Sequence, residues 1–218
     1  MSNWSLSKWI YLLAGLALYV KMVVLPTLAP EVSGAAILEA VTSDSGVPNA
    51  VSGIIFRNRL YDTIFEVVVF TIAIMGAKFL LATEQPSCSI DRLSDRPSIV
   101  LARLGATIAA LVAIELGIRG HLSPGGGFAA GVAGGTAIGL VAISASPDWM
   151  QALYQRWRAA TWEKISVLVF ILLAAVTLMG YELPHGQMGD LVSGGLLPVL
   201  NFLVAVKVAL GSWAAVLV

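Results

Sequence analysis

Charged residues are scarce in this sequence. Only 12% of its 218 residues are Asp, Glu, Lys or Arg, whereas 58% are hydrophobic and the mean hydropathy is +0.86. A soluble globular domain carries about 25% charged residues, so the composition argues against one. The apolar residues also fall in uninterrupted runs of about 20, the length at which a helix crosses a bilayer. The sequence therefore predicts an all-α, polytopic membrane protein.

Cysteine and an excess of charge of either sign are also missing. The single Cys88 cannot form an intrachain disulfide, and the few Cys and His residues do not form a metal-binding pattern. Basic and acidic residues balance to a formal net charge of zero, so no basic surface for nucleic acid is indicated. We expect no cofactor, no bound metal and no nucleic-acid partner.

About six apolar runs are predicted to be transmembrane helices. They cover residues 8–28, 62–82, 98–118, 124–145, 162–181 and 193–216. The first run follows a single Lys and has no small-residue cleavage site after it, which indicates a retained helix rather than a signal peptide.

The distribution of Lys and Arg predicts the orientation of these spans. With a cytoplasmic N-terminus, the inner side holds Lys8, Arg92, Arg96, Arg103, Arg156, Arg158 and Lys164, and the outer side holds Arg57, Arg59 and Arg119. Basic residues favour the cytoplasmic side. We therefore expect a multi-pass protein of the cell (inner) membrane with both termini in the cytoplasm.

Two polar connections suggest how the chain is organised. The most polar one predicts a two-helix segment over 1–82, a cytoplasmic linker over 83–97 and a four-helix domain over 98–218. The other connection is expected to contain a short helix, capped by Asp44 or Ser45, that lies at the membrane interface or against a partner.

A cluster of glycines marks the start of the fourth span. Residues 120–135, "GHLSPGGGFAAGVAGG", contain seven glycines. Neither a dinucleotide fingerprint nor a Walker loop fits, because a membrane helix precedes the cluster and no Gly-Lys-Ser/Thr follows it. Ser123 is the predicted N-cap of the helix, and Pro124 its first residue. Gly125 and Gly126 could also permit an unwound first turn that faces a cavity or a partner.

Further glycines recur every four residues along the fourth span. They are Gly127, Gly131, Gly135 and Gly139. Small residues at this spacing line one face of a membrane helix and let another helix approach closely. We therefore predict that this face is a helix-packing surface.

Several ionisable residues fall inside or beside predicted spans. They are Lys21, Asp62, Glu66, Lys78, Glu115, His121 and Lys207. A charge at the bilayer centre costs at least a few kcal/mol unless it is paired or hydrated. Apart from Lys21, which can snorkel to its end of the helix, these residues are candidates for an ion pathway.

Each of these candidates has a structural alternative. Glu66 and Asp62 share a helix face and could hold a cation or a proton, or Glu66 could simply bond to a neighbouring helix. Lys78 can also snorkel, and Glu115 can pair with an arginine one turn later. His121 either holds its loop by a hydrogen bond or titrates at the mouth of an ion route.

Two stretches resemble known families. "GHLSPGGGFAAGV" resembles the MnhB/MrpB family, one of the component families of the multi-subunit Mrp-type Na⁺/H⁺ antiporters. The signature of that family, G-H-x-x-P-G-G-G-F-x-x-G, is complete here, and the resemblance covers about 98–217. "AVSGIIFRNRLYDTIFEVVVFTIAIMGAKFLL" resembles the C-terminal two-helix segment of the large antiporter subunit and the small equivalent subunit of membrane-bound hydrogenases. The matched residues are Arg59, Asp62, Thr63 and Glu66. The pattern departs at Arg57 and Asn58, where the family often has an acidic residue or Asn, and a Phe.

The resemblance implies a non-enzymatic membrane subunit of a multi-subunit Mrp-type antiporter, fused from two neighbouring pieces. Its implied partners are other antiporter subunits and membrane lipid, its transported ions are Na⁺ and H⁺, and Glu66 is the implied ion-handling residue. One alternative is a structural scaffold in a redox-driven complex, such as a membrane-bound hydrogenase or a complex I-like assembly, that moves no ions itself. An independent small transporter is less favoured, because the chain has few buried charges and its glycine face requires a partner.

Overall fold

The computed structural model describes residues 33–83 and 93–217, together with 12–13, 15–17, 19–20 and 23–24. The chain divides into two compact units, residues 1–37 and 38–218. In the first unit, the described positions between 12 and 24 are helical, and the remainder of the predicted first span, including Lys21, lies outside the described residues. Cys88 and most of the predicted linker also lie outside them.

Helices account for all the regular structure in the described part of the chain, which confirms the predicted fold class. In chain order they are α1 (Gly34–Ser45), α2 (Ala50–Gly53), a π-helical turn (Ile54–Asn58), α3 (Leu60–Leu81), α4 (Arg96–Arg119), α5 (Gly127–Ala142), α6 (Pro147–Arg156), α7 (Ala159–Leu178) and α8 (Leu197–Val216). Among the described helices, four are long and apolar enough to cross a membrane: α3, α4, α7 and α8. Because α5 is apolar but shorter, the predicted number of about six spans is approximate.

Helix α8 forms the centre of the bundle and packs against α5, α7, α3 and α4. Its residues Leu200, Val204 and Val208 are buried together with Phe170 of α7 and Val67 of α3. The outer faces of α3, α4 and α7 instead carry large exposed apolar side chains. In a membrane protein such faces contact lipid or other subunits, because the apolar solvent does not drive them inward.

The predicted start of the fourth span is wrong by one turn. Helix α5 begins at Gly127 with Gly126 as its N-cap, and Ser123 instead donates a hydrogen bond from Oγ to the carbonyl of Arg119 at 3.3 Å. The chain remains non-helical through Gly125 and Gly126, whose φ angles are +149° and +129°. Only glycine adopts these angles readily, so the cluster serves an unwound entry to the helix.

The predicted cap of the short helix is also wrong. Asp44 and Ser45 end α1, and Asn49 is the residue that caps α2, with Oδ1 accepting from the backbone N–H of Val51 at 3.1 Å. The turn that follows packs into the core through Phe56, which is 2% exposed. This segment is therefore part of the bundle of its own chain.

Candidate functional site

The glycine face of α5 is where this helix meets α8. A Cβ atom added at Gly127 would lie 2.2 Å from the carbonyl oxygen of Asn201. One at Gly131 would lie 2.4 Å from Cβ of Val208, and one at Gly135 would lie 2.6 Å from Cβ of Ser212. These distances are shorter than any real contact of a Cβ, so the two helices can pack this closely only through glycine.

Gly139, the fourth residue of the predicted series, does not share this contact. A Cβ added there meets no atom within 4 Å in the described part of the molecule. Gly134, outside the series, does face α8, because a Cβ there would lie 3.1 Å from Cβ of Ala209. The contact is therefore centred on the N-terminal three-quarters of α5.

Two buried asparagines organise the C-terminal end of α4 and the loop after it. Asn201 Nδ2 donates to the carbonyls of Gly117 at 2.8 Å and Leu116 at 3.1 Å. Asn49 Nδ2 lies 2.7 Å from the carbonyl of Gly120 and 2.6 Å from that of Ser123. The carbonyls of Leu116 and Gly117 lie in the last turn of α4, and those of Gly120 and Ser123 lie just after it. Backbone carbonyls at a helix end have no donor within the helix. The two side chains therefore satisfy a helix end and loop that would otherwise be costly to bury.

His121 is fully buried in this loop, at 0% exposure. Among the residues that the structure describes, neither ring nitrogen has a hydrogen-bond partner within bonding geometry. Burial lowers the pKa of His121, and the nearby backbone of Asp190 and Leu191 opposes that effect. The neutral imidazole is therefore favoured. The environment of His121 is that of a buried polar side chain rather than that of a solvent-exposed histidine that gains and loses a proton.

Glu66 lies on an exposed face of α3, surrounded by the exposed apolar side chains of Phe65 and Val69. Asp62, one turn earlier, forms an ion pair with Arg59. Glu66 itself makes no ion pair within the described ranges of the chain. The two carboxylates therefore share a face, but only Asp62 has a cation at hand.

Lys207 occupies the opposite kind of environment, because its side chain is 1% exposed in the middle of α8. Its Nζ lies 3.8 Å from the centroid of the Phe70 ring and has no hydrogen-bond partner in the described structure. The phenyl ring stacks edge-on against Phe128 of α5 with centroids 6.0 Å apart. An ammonium held over an aromatic face gains a cation–π interaction.

Lys78 and Glu115, the other predicted pathway residues, lie apart from this centre. Nζ of Lys78 lies 6.0 Å from the ring centroid of Tyr154, at the end of the bundle that the basic residues predict to be cytoplasmic. Glu115 pairs with Arg119 one turn later at 3.2 Å, and both are exposed. The structure thus places the six predicted pathway residues at several separate positions and does not assemble them into one site.

Sequence reasoning missed four residues that the structure makes prominent. They are Asn49, Asn201, Phe70 and Glu163. An amide, a phenyl ring or a carboxylate at a helix start is common in any membrane protein, so residue type alone does not single them out. For Asn201 a signal existed, since a polar amide in the middle of an apolar run is costly to bury unless it is bonded. No group of three or more His, Cys, Asp or Glu suited to a metal ion occurs among the described residues.

A comparison with protein families identifies the four-helix region. The family described as "Domain related to MnhB subunit of Na+/H+ antiporter" matches residues 97–214, more than half of the chain. The chain belongs to this MnhB-related family. The resemblance seen in the glycine signature is thereby confirmed, whereas the resemblance of the N-terminal segment to the large antiporter subunit stays a prediction.

Two solved structures share the fold of this MnhB-related chain. One is the membrane-bound sulfane sulfur reductase, described as an archaeal respiratory membrane complex, with a TM-score of 0.68 and 23% identity over 99% of this chain and 97% of that chain. The other is the Mrp complex from Dietzia sp. DQ12-45-1b, with a TM-score of 0.65 and 22% identity over 99% of this chain and 26% of that chain. The MnhB-related chain thus spans about a quarter of the Mrp chain that it matches. No curated protein sequence matches it.

Proposed function

We propose that this chain is a non-enzymatic subunit of a Mrp-type Na⁺/H⁺ antiporter complex in the cell membrane, with both termini in the cytoplasm. Membership of the MnhB-related family supports this assignment. The shared fold supports it too, because one solved structure is described as a respiratory membrane complex and the other as a Mrp complex. The partners are other antiporter subunits and lipid, and the transported ions are Na⁺ and H⁺. The same proposal divides the chain into a segment over 1–82 that is similar to part of the large antiporter subunit and an MnhB-like domain over 98–218.

The observation that carries the proposal is the position of Glu66. Its carboxylate lies on an exposed face of a helix that is long and apolar enough to span the membrane. A carboxylate exposed to lipid costs several kcal/mol, so such groups face other subunits or water. We infer that another subunit covers this face of α3 and that the contact encloses a hydrated site at Glu66.

Such a site exchanges ions by competition. The protonated carboxyl binds Na⁺ by releasing its proton, and Na⁺ leaves when the carboxylate takes a proton back. Asp62 is already paired with Arg59, which leaves Glu66 as the group that changes partner. Because one group holds either a proton or a cation, movement of one ion is tied to movement of the other.

The experiment is transport by the assembled complex in vesicles. We expect Glu66→Gln to assemble and to lose Na⁺-dependent dissipation of a pH gradient, because the amide cannot bind or release a proton. Glu66→Asp should retain part of the exchange. Glu39→Gln is the matched control, since Glu39 is an exposed carboxylate on α1, outside the four spanning helices, and should exchange at the wild-type rate.

A scaffold subunit of a redox-driven complex is the second candidate. It is favoured by the fold match to the sulfane sulfur reductase structure, which extends over 97% of that chain. A scaffold moves no ions, so exchange at the wild-type rate in an assembled Glu66→Gln complex would remove the ion-handling role of Glu66 and favour this candidate.

A further inference from the structure

Lys207 requires an explanation that neither packing nor a neighbouring subunit supplies. It lies ten residues after the start of α8 and nine before its end, about 15 Å from either end of the helix. Its side chain is too short to snorkel that far. Since it is 1% exposed, a partner subunit cannot reach it either. Its counter-group must therefore come from this chain.

Glu163 is the carboxylate placed to act on it. Glu163 Oε1 lies 3.1 Å from the position that a Cβ on Gly211 would occupy, and Gly211 is one turn along α8 from Lys207. Phe70 fills the other side of the same gap, because its Cε1 would lie 2.7 Å from that Cβ. The carboxylate thus lies near Lys207 without a direct hydrogen bond to its Nζ. The absence of a side chain at Gly211 is what lets the ring and the carboxylate meet beside the lysine.

Within the described part of the chain, no other charged side chain on the surrounding helices competes for Lys207. Helix α5 has none in its sequence. The ionisable residues of α4 are all exposed, and Arg57 of the π-helical turn is held by Asp44 at 2.6 Å and Glu182 at 2.7 Å. On α3, Asp62 pairs with Arg59, Glu66 is exposed and Lys78 lies by Tyr154. On α7, Lys164 is exposed.

We infer that Lys207 and Glu163 form a proton-exchange pair inside this chain. Nζ of Lys207 makes no direct hydrogen bond to the carboxylate, so the proton crosses through a water molecule between them. The N–H bond of the Lys207 ammonium breaks as the water takes that proton, and the water gives one of its own protons to the Glu163 carboxylate, which leaves a neutral amine, a neutral acid and an unchanged water. Glu163 is only half-buried near the start of α7, so it passes the proton to water at the end of the bundle that carries Arg156 and Arg158. In the reverse direction the O–H bond of Glu163 breaks and the N–H bond of Lys207 re-forms.

This pair deepens the proposed function and rests on it, because it supplies a proton site inside the chain beside the cation site at Glu66. Both sites contact α3. Glu66 faces outward, and Phe70, one turn later on the same helix, covers the lysine. Protonation of Lys207 therefore takes place against an aromatic ring of the same helix that carries Glu66.

Transport by the assembled complex, measured over a range of pH, tests the pair. Lys207→Arg keeps a cation over Phe70 but never releases its proton, so exchange should fall about 100-fold, the scale of a lost acid–base group. Glu163→Gln should also slow exchange and move its pH profile to lower pH, because the ammonium loses its neighbouring anion. Glu163→Asp should restore part of the rate. Lys164→Gln, on the adjacent exposed residue, is the control and should leave rate and profile unchanged.

A measurement that does not depend on transport separates this inference from the proposed function. The Nζ resonance of Lys207 in the assembled complex, prepared with isotope-labelled lysine and assigned by its loss in Lys207→Arg, should titrate. Its midpoint should shift in Glu163→Gln and stay in Lys164→Gln. If the Glu66→Gln complex exchanges ions at the wild-type rate while the Lys207 resonance shifts as described, the proposed ion-handling role of Glu66 is wrong and the Lys207–Glu163 pair is supported.

Two results would overturn the pair. One is wild-type exchange with an unchanged pH profile in both Lys207→Arg and Glu163→Gln. The other is a Lys207 resonance whose titration is unaffected by Glu163→Gln. If Lys207→Arg does not assemble, the exchange rate and pH profile of Glu163→Gln decide alone, because Glu163 is half-buried and glutamine has nearly the same shape.

Discussion

Asn201 is a single residue on which the C-terminal end of α4 depends. Its amide donates to two backbone carbonyls, those of Leu116 and Gly117, and its side chain is 0% exposed. The close approach is possible because the neighbouring residue is Gly120, where a Cβ would lie 2.8 Å from Asn201 Nδ2. A leucine of similar size would fill this space and leave both carbonyls without that donor.

We therefore expect Asn201→Leu to destabilise the folded chain by about 1–3 kcal/mol, the cost of leaving buried polar groups unsatisfied. Thermal unfolding of the purified chain in detergent measures this effect. Thr136→Val is the control, because its hydroxyl bonds only within α5, to the carbonyl of Val132, and is exposed. Equal melting temperatures for Asn201→Leu and the wild type would show that the amide contributes nothing.

At the scale of helices, two glycines of α5 allow a matched comparison of packing against α8. Gly131 and Gly139 are two turns apart on the same helix, but only Gly131 lies against Val208 of α8. Gly131→Leu should separate the two helices and cost about 3 kcal/mol or more, because backbone and Cβ atoms cannot move aside. Gly139→Leu should be neutral or slightly stabilising, since glycine is a poor helix former.

The measurement is thermal stability of the isolated chain together with retention of partner subunits in the purified complex. Loss of stability for Gly131→Leu alone supports packing of α5 on α8 within this chain. If both exchanges reduce stability equally, the distinction drawn from the two positions is wrong. If only Gly139→Leu releases partner subunits, that end of α5 faces another subunit.

At the scale of the whole molecule, the orientation in the membrane can be measured on described residues. Gln155 lies at the end of α6 and Gln187 lies in the connection between α7 and α8, and both are exposed. Because α7 separates them and is long enough to span, they should face opposite sides. The basic residues around Gln155 predict that it is cytoplasmic.

Single-cysteine variants Gln155→Cys and Gln187→Cys, made after replacement of Cys88, test this topology. A membrane-impermeant thiol reagent added to intact cells should label only Gln187→Cys. Labelling of Gln155→Cys from outside would invert the orientation, and labelling of both would mean that α7 does not cross the membrane.

Much of the fold could be predicted from the chain alone, because long apolar runs have few alternatives in a bilayer. The helices α3, α4, α7 and α8 lie within a few residues of predicted spans. The start of α5 was placed wrongly because Ser123 and Pro124 fit helix-start preferences that are local. Three-dimensional packing overrode them, since the chain must remain extended at Gly125 and Gly126 while it passes over Asn201.

The sequence by itself determined the all-α membrane class, the family signature, the glycine periodicity and the presence of charges at membrane depth, because each depends on residue type and spacing along the chain. Only the tertiary structure decided which glycines touch α8, that Glu66 faces outward and Lys207 inward, and that Glu163 lies beside Lys207. These facts depend on the rotation of each helix about its axis. Neighbouring helices determine that rotation, and in helices that are apolar all round, no hydrophobic face records it in the sequence.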